Sequence, residues 1–144
     1  MSVKPIPDGF HSVSPYILVK DGAKLIEFLK AAFNAEQVER LETPDGRVKH
    51  AQLKIGDSMV MLGAPQDDGM PSSLYLYVPD CDATYASAMA AGATSIMEPE
   101  DQFYGDRGAG VTDPCGNLWW IGTHIEDVPP DELERRAAAA GQRD

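Results

Sequence analysis

No apolar run in this chain approaches the roughly 18 residues that a membrane-spanning helix needs. The N-terminal stretch MSVKPIPDGF has neither the charged start nor the apolar centre of a secretion signal. Cysteine is scarce: Cys81 and Cys115 stand far apart without CxxC spacing. They are expected to be free thiols in a reducing cytoplasm. Histidine is scarce too. His11, His50 and His124 share no helical or hairpin spacing, so they are a weak basis for a metal centre. Positive charge is nearly missing from the second half. Residues 65–144 hold fifteen acids and four bases, and Arg107 is the only base between Lys54 and Arg135. Residues 1–64 hold eight of each, so the second half carries the whole net charge of −11. Phosphate backbones demand Lys and Arg clusters, so a chain this acidic is a poor partner for them and no nucleic-acid partner is expected. The acidity serves solubility, or it lines a groove that draws a cationic ligand. Both remain open at this point.

What the chain does have is an internal echo. SPYILVKD at residues 14–21 returns 59 residues later as SLYLYVPD at residues 73–80. Each echo leads into a helical pattern. DGAKLIEFLKAAFNA carries a stripe of Leu25, Phe28, Leu29, Ala32 and Phe33, with Asp21 suited to cap its start. DCDATYASAMAAGA repeats the plan with Asp80 as cap, Ala83, Tyr85, Ala86, Met89 and Ala90 inside, and Gly92 as the left-handed stop. Three strands follow each helix. The first set turns at TPDG and GD; the second carries a long Gly-rich insert and turns at TDPCGN, where Gly116 supplies a positive φ. The expected fold is therefore α+β: two βαβββ modules forming cupped mixed sheets, with a short C-terminal helix. The expected divisions are a first module over 1–64, a linker over 65–72, a second module over 73–128, and a helix and tail over 129–144. With 43% of 144 residues apolar, such a chain needs no metal or disulfide merely to fold.

Alternation then assigns faces. Ile17 and Val19, like Leu74, Leu76 and Val78, are expected beneath the helices. Ser14 and Tyr16, like Ser73, Tyr75 and Tyr77, share the opposite face. That face is either an ordinary semi-polar sheet surface or the inside of a cup. His11, three residues before Ser14, is expected on the face opposite to it.

The phrases PDGFHSVSPYILVKD, HAQLKIGDSMVML and DQFYGDRGAGVTDPCGNLWWIGTHIEDV resemble the vicinal oxygen chelate superfamily, in its glyoxalase-like branch. That superfamily includes glyoxalase I, extradiol dioxygenases and bleomycin- and fosfomycin-resistance proteins. The resemblance spans about Pro5 to Val128, with departures at Phe28-Leu29, Asn34-Ala35 and Cys115. It implies the same cupped fold and a homodimer whose modules pair across chains. It also implies four divalent-metal ligands, His or Gln from the first strands and usually Glu from the last. Carried over by position, these fall on Ser14, Ser73, Trp120 and Met61, or Val60 with a register slip of one. A serine hydroxyl is a weak ligand, a thioether is soft, and an indole has no lone pair to give. Zinc or a hard cation requires imidazoles or carboxylates. No cofactor is therefore expected.

Met59 and Leu118 share the inward parity of Met61 and Trp120, while Trp119 is expected to face the helices. Paired tryptophans commonly build a core, yet adjacent ones cannot both face one layer. The stretch MEPEDQFYGDRG reads as a loop that brings Phe103 and Tyr104 to the cup mouth beside Glu98, Glu100, Asp101 and Asp106. A cation about 4 Å from one such carboxylate gains roughly 1 kcal/mol in water and about 4 in a shielded groove. Arg107 is expected to pair with Asp106 or with the DPCGN turn. The candidate ligand-binding residues are thus Ser14, Tyr16, Met59, Met61, Ser73, Tyr75, Tyr77, Phe103, Tyr104, Leu118 and Trp120. The expected function is metal-free binding or sequestration of an aromatic compound, cationic or neutral, of the antibiotic-like kind. The alternative is a glyoxalase-like lyase or other metal-dependent enzyme, with acid–base chemistry from His50, Asp106 or Tyr104.

Overall fold

The computed structural model describes residues 3–141; the final residues of the expected tail lie outside them. The first module runs β1 (Tyr16–Leu18), α1 (Gly22–Phe33), β2 (Glu36–Glu42), β3 (Val48–Ile55) and β4 (Ser58–Gly63). The second repeats the order as β5 (Ser73–Tyr77), α2 (Cys81–Ala90), β6 (Thr94–Asp101), β7 (Asp106–Thr112) and β8 (Leu118–His124), and α3 (Pro130–Gly141) follows. Each module builds a four-stranded mixed sheet, ordered β1-β4-β3-β2 and β5-β8-β7-β6. In both, the first strand pairs parallel with the last, and the remaining pairs are antiparallel. This is the α+β architecture of two βαβββ modules.

The caps form as the sequence dictates. The Asp21 carboxylate accepts from the Lys24 N–H at 3.1 Å, and Asp80 from Ala83 at 3.1 Å. Asn34 ends α1 in the left-handed region at φ 57°, which Asn tolerates better than other side-chain-bearing residues. Helix α1 buries Leu25, Ile26, Phe28, Leu29, Ala32 and Phe33. Helix α2 departs from expectation. Only Cys81 and Ala88 are buried; Tyr85 is half-buried, and Ala83, Ala86, Met89 and Ala90 face solvent. Alanine is too small to gain much from burial, so its apolar label does not fix which side of the helix turns inward.

Both helices pack on the same core. Ile17, Leu53, Val60 and Leu62 from one sheet join Val111, Trp119 and Ile121 from the other in a continuous cluster. The Phe33 ring meets the Trp119 ring at 4.9 Å, linking the modules. The TDPCGN turn holds this junction with a buried polar knot. Asp113 accepts from the Cys115 N–H at 2.8 Å, the Asn117 N–H at 3.0 Å and the Trp119 indole at 2.8 Å. Asn117 in turn accepts from the Ser72 N–H at 2.9 Å, tying β8 to the start of β5. Gly116 takes φ 92°, as the turn requires.

The expected loop MEPEDQFYGDRG is not a loop. Glu98, Glu100 and Asp101 lie in β6, Asp106 and Arg107 open β7, and only residues 102–105 connect them. β6 is an edge strand, where charged residues and a proline such as Pro99 are tolerated because one side of the backbone needs no partner.

Candidate functional site

The faces away from the helices carry the candidate site. In the parallel pairs, Tyr16 stands opposite Met61 and Tyr75 opposite Trp120. The echo is thus kept in three dimensions, and it assigns Met61 rather than Val60 to the position matching Trp120; Val60 is in the core. Tyr16 lies across Gly63 and Tyr75 across Gly122, so closely that a Cβ at either glycine would strike the ring. Gly110 serves the Trp120 ring in the same way. The Trp120 indole N–H donates to the Ser73 hydroxyl at 3.2 Å. Trp119, one residue earlier, is buried among the helices.

Ser14, Tyr16, Ser73 and Tyr75 line one recess of about 520 Å³ between β1 and β5, together with Met70. Ser14 and Met61 also line a second recess, of about 400 Å³, beneath the N-terminal arm at Phe10 and His11. His11 therefore sits beside Ser14 rather than on the opposite face. Residues 11–14 are not a continuous strand, and the Ser14 hydroxyl donates back to the His11 carbonyl at 3.4 Å. Leu118 pairs with Ser73 on β8 and is half-buried. Met59 has the expected parity but is buried. Phe103 packs edge-on against Tyr104 and shares a recess with Arg136 and Ala139 of α3, away from the β1–β5 seam. Arg107 does not pair with Asp106 or the DPCGN turn. It turns to the helix side and binds Asp82 at 2.6 and 3.0 Å and Asp101 at 3.0 Å.

Asp106 instead organises the open face. Its Oδ2 accepts from the Tyr75 hydroxyl at 2.7 Å and the Tyr77 hydroxyl at 2.8 Å, and its Oδ1 faces His124 Nδ1 at 2.9 Å. His124 Nε2 meets Asp127 at 2.7 Å. Burial would raise the Asp106 pKa, but the bonds from His124, Tyr75 and Tyr77 outweigh it, so the carboxyl stays below its ordinary value. Asp127 and then Asp106 raise the His124 pKa, because a carboxylate at each ring nitrogen favours the imidazolium. Burial and then the Asp106 bond push the Tyr75 hydroxyl pKa up; for Tyr77 the Asp106 bond leads. Sequence reasoning named Asp106 and His124 but did not join them. The hairpin at TDPCGN holds the signal: once Asp113 pairs with Asn117, counting back along both strands sets Asp106 opposite His124.

Residues 9–121 match the family described as the Glyoxalase/Bleomycin resistance protein/Dioxygenase superfamily. The chain belongs to that superfamily. An uncharacterized protein of Mycobacterium bovis is 36% identical over 90% of this chain and 94% of its own length. An uncharacterized protein of Mycobacterium tuberculosis matches at the same identity over 84% of its length. Among solved structures, TioX from Micromonospora sp. ML1 superposes with a TM-score of 0.67 at 22% identity, covering 79% of this chain and all of its own. The fosfomycin resistance protein FosX from Mesorhizobium loti gives 0.60 at 15% identity, over 78% of this chain and 91% of its own. At those identities the likeness is one of fold.

The glyoxalase-superfamily positions for metal ligands do not fit a metal here. They hold Ser14, Met61, Ser73 and Trp120, two of which bond to each other through the indole N–H. Among the described residues, no group of three or more His, Cys, Asp or Glu side chains is placed to hold an ion. No described helix is long and apolar enough to cross a membrane.

Proposed function

We propose that this chain binds and sequesters a small aromatic compound, cationic or neutral, in its cup without a metal ion, and that it does so as a homodimer. The observation that carries the reading is the donor set at the four superfamily ligand positions. Ser14, Met61, Ser73 and Trp120 offer no imidazole or carboxylate, and the Trp120–Ser73 bond occupies two of them with each other. Support also comes from the β1–β5 recess. Tyr16 and Tyr75 are about half exposed there, and stiff aromatic side chains with polar tips suit a small-molecule pocket. The acidic second half favours cations over anions. FosX, which shares the fold, is a fosfomycin resistance protein; an antibiotic-like ligand is the corresponding proposal for this chain.

The test is a panel of aromatic cations, neutral aromatics and aromatic anions, read by tryptophan fluorescence and melting temperature in the presence of a chelator. Binding quenches or shifts the half-buried Trp120 while leaving the buried Trp119 unchanged, and Trp120→Phe removes the signal. Binding or turnover that appears only when a divalent metal is added would favour the metal-dependent lyase reading instead.

A further inference from the structure

On the open face of the second sheet, the Tyr75 and Tyr77 hydroxyls donate to one carboxylate. Asp106 is 3% exposed, and an ionised carboxylate can only accept. It takes the single proton of Tyr75 and the single proton of Tyr77 on one oxygen. What each tyrosine has left for the open side is oxygen lone pairs. His124 is committed as well, because each ring nitrogen faces a carboxylate. Yet the rings remain accessible: Tyr75 is 45% and Tyr77 62% exposed, with centroids 4.9 Å apart.

The fold does not demand this arrangement. In the first module Tyr16 lies on Gly63 as Tyr75 lies on Gly122. There, however, Leu18 and Pro65 stand where the echo places Tyr77 and His124. The acceptor wall belongs to the second module.

We propose that Tyr75, Tyr77 and Asp106 form a recognition site for a protonated amine on an aromatic or alkyl body. Ammonium N–H groups bond the outward tyrosine oxygens, and the charge rests against the ring faces. Carboxylates and other acceptors meet only lone pairs and are rejected. This rests on the reading of the cup as a small-molecule site and adds the chemical class of the ligand. The charged groups joined to the wall by hydrogen bonds are Asp106 from β7, His124 from β8 and Asp127 just beyond it, and Lys30 borders a recess that Tyr77 also lines. With His124 protonated, one negative charge remains. Arg107, next to Asp106 in the chain, is held on the helix side by Asp82 and Asp101 and does not oppose a cationic guest.

Three probes that share one ring separate the contributions: benzylammonium, benzyltrimethylammonium and benzoate. Each is titrated into the full chain in chelator at neutral pH, with the tyrosine ring signals followed by NMR. The expected result is that benzylammonium shifts the Tyr75 and Tyr77 signals and binds about tenfold tighter than benzyltrimethylammonium, which keeps the charge and loses the N–H donors. Benzoate gives no shift. Asp106→Asn supplies a donor inside, which frees a tyrosine proton to turn outward, and the preference for benzylammonium over benzoate collapses. Because Asp106 is buried, Tyr77→Phe serves as a second variant at an exposed ring; it weakens benzylammonium about tenfold. Benzoate binding as tightly as benzylammonium, benzylammonium without tyrosine shifts, or an unaffected Tyr77→Phe variant overturns the inference. The sequestration reading fails on a separate ground, a stoichiometric metal in the native protein, so the two failures are distinguishable.

Discussion

At the scale of single residues, the second module differs from the first by a few side chains whose chemistry is interlocked. Asp106 is costly to bury, and three hydrogen bonds from its neighbours offset that cost. His124 connects this buried carboxylate to solvent through Asp127. Its pKa in the folded chain is raised, while in the unfolded chain it is about 6.5. The protonated form is therefore bound more tightly by the native state. The stability it contributes is fully present below about pH 6.5 and is lost as pH rises through the higher folded value. An NMR titration of the His124 ring is expected to show a midpoint above 6.5, and His124→Gln to flatten the loss of stability over that window. A midpoint at or below 6.5 would mean that the flanking carboxylates do not hold an imidazolium. The sequence made these residues visible one by one. It did not join them, because the bond from β7 to β8 depends on a hairpin register that must be counted out from the turn at Asp113.

At the scale of elements, legibility followed the size of the side chains. Helix α1 was readable because Leu25, Phe28, Leu29 and Phe33 are large enough for burial to dominate their placement. Helix α2 and its Asp80 cap were readable too, but its inward face was not, because its apolar positions are mostly alanine and its exposed face includes Met89. The contrast predicts a contrast in stability. Leu29→Ala removes a fully buried side chain and is expected to cost about 3 kcal/mol in denaturant unfolding. Met89→Ala is expected to stay within about 0.5 kcal/mol. Equal losses would mean that α2 buries its methionine face in solution. The acidic second half of strand β6 was hidden for another reason. Acidic residues and a proline signal a loop anywhere except at a sheet edge, and edge position is a property of the assembled sheet. The capping aspartates and the Gly116 turn were legible because they depend only on neighbours within a few residues.

At the scale of the whole molecule, the chain holds two four-stranded sheets of the same order, and its halves differ in charge and in the chemistry of their open faces. The homodimer proposed here puts two such cups in one particle. Sedimentation velocity is expected to report a dimer at micromolar concentration, and a stable monomer would contradict cups completed across chains while leaving the single-chain recess intact. The faces of the paired strands β1 and β5 were readable from alternation alone. What fills the cup was not readable, because fold in this superfamily does not determine chemistry. The central claim is that the cup works without a metal. Elemental analysis of the native protein, purified without chelator or metal resin, tests it most directly. Divalent metal far below one equivalent per chain is the expected result; about one equivalent of zinc, nickel, iron or manganese that survives dialysis would contradict it.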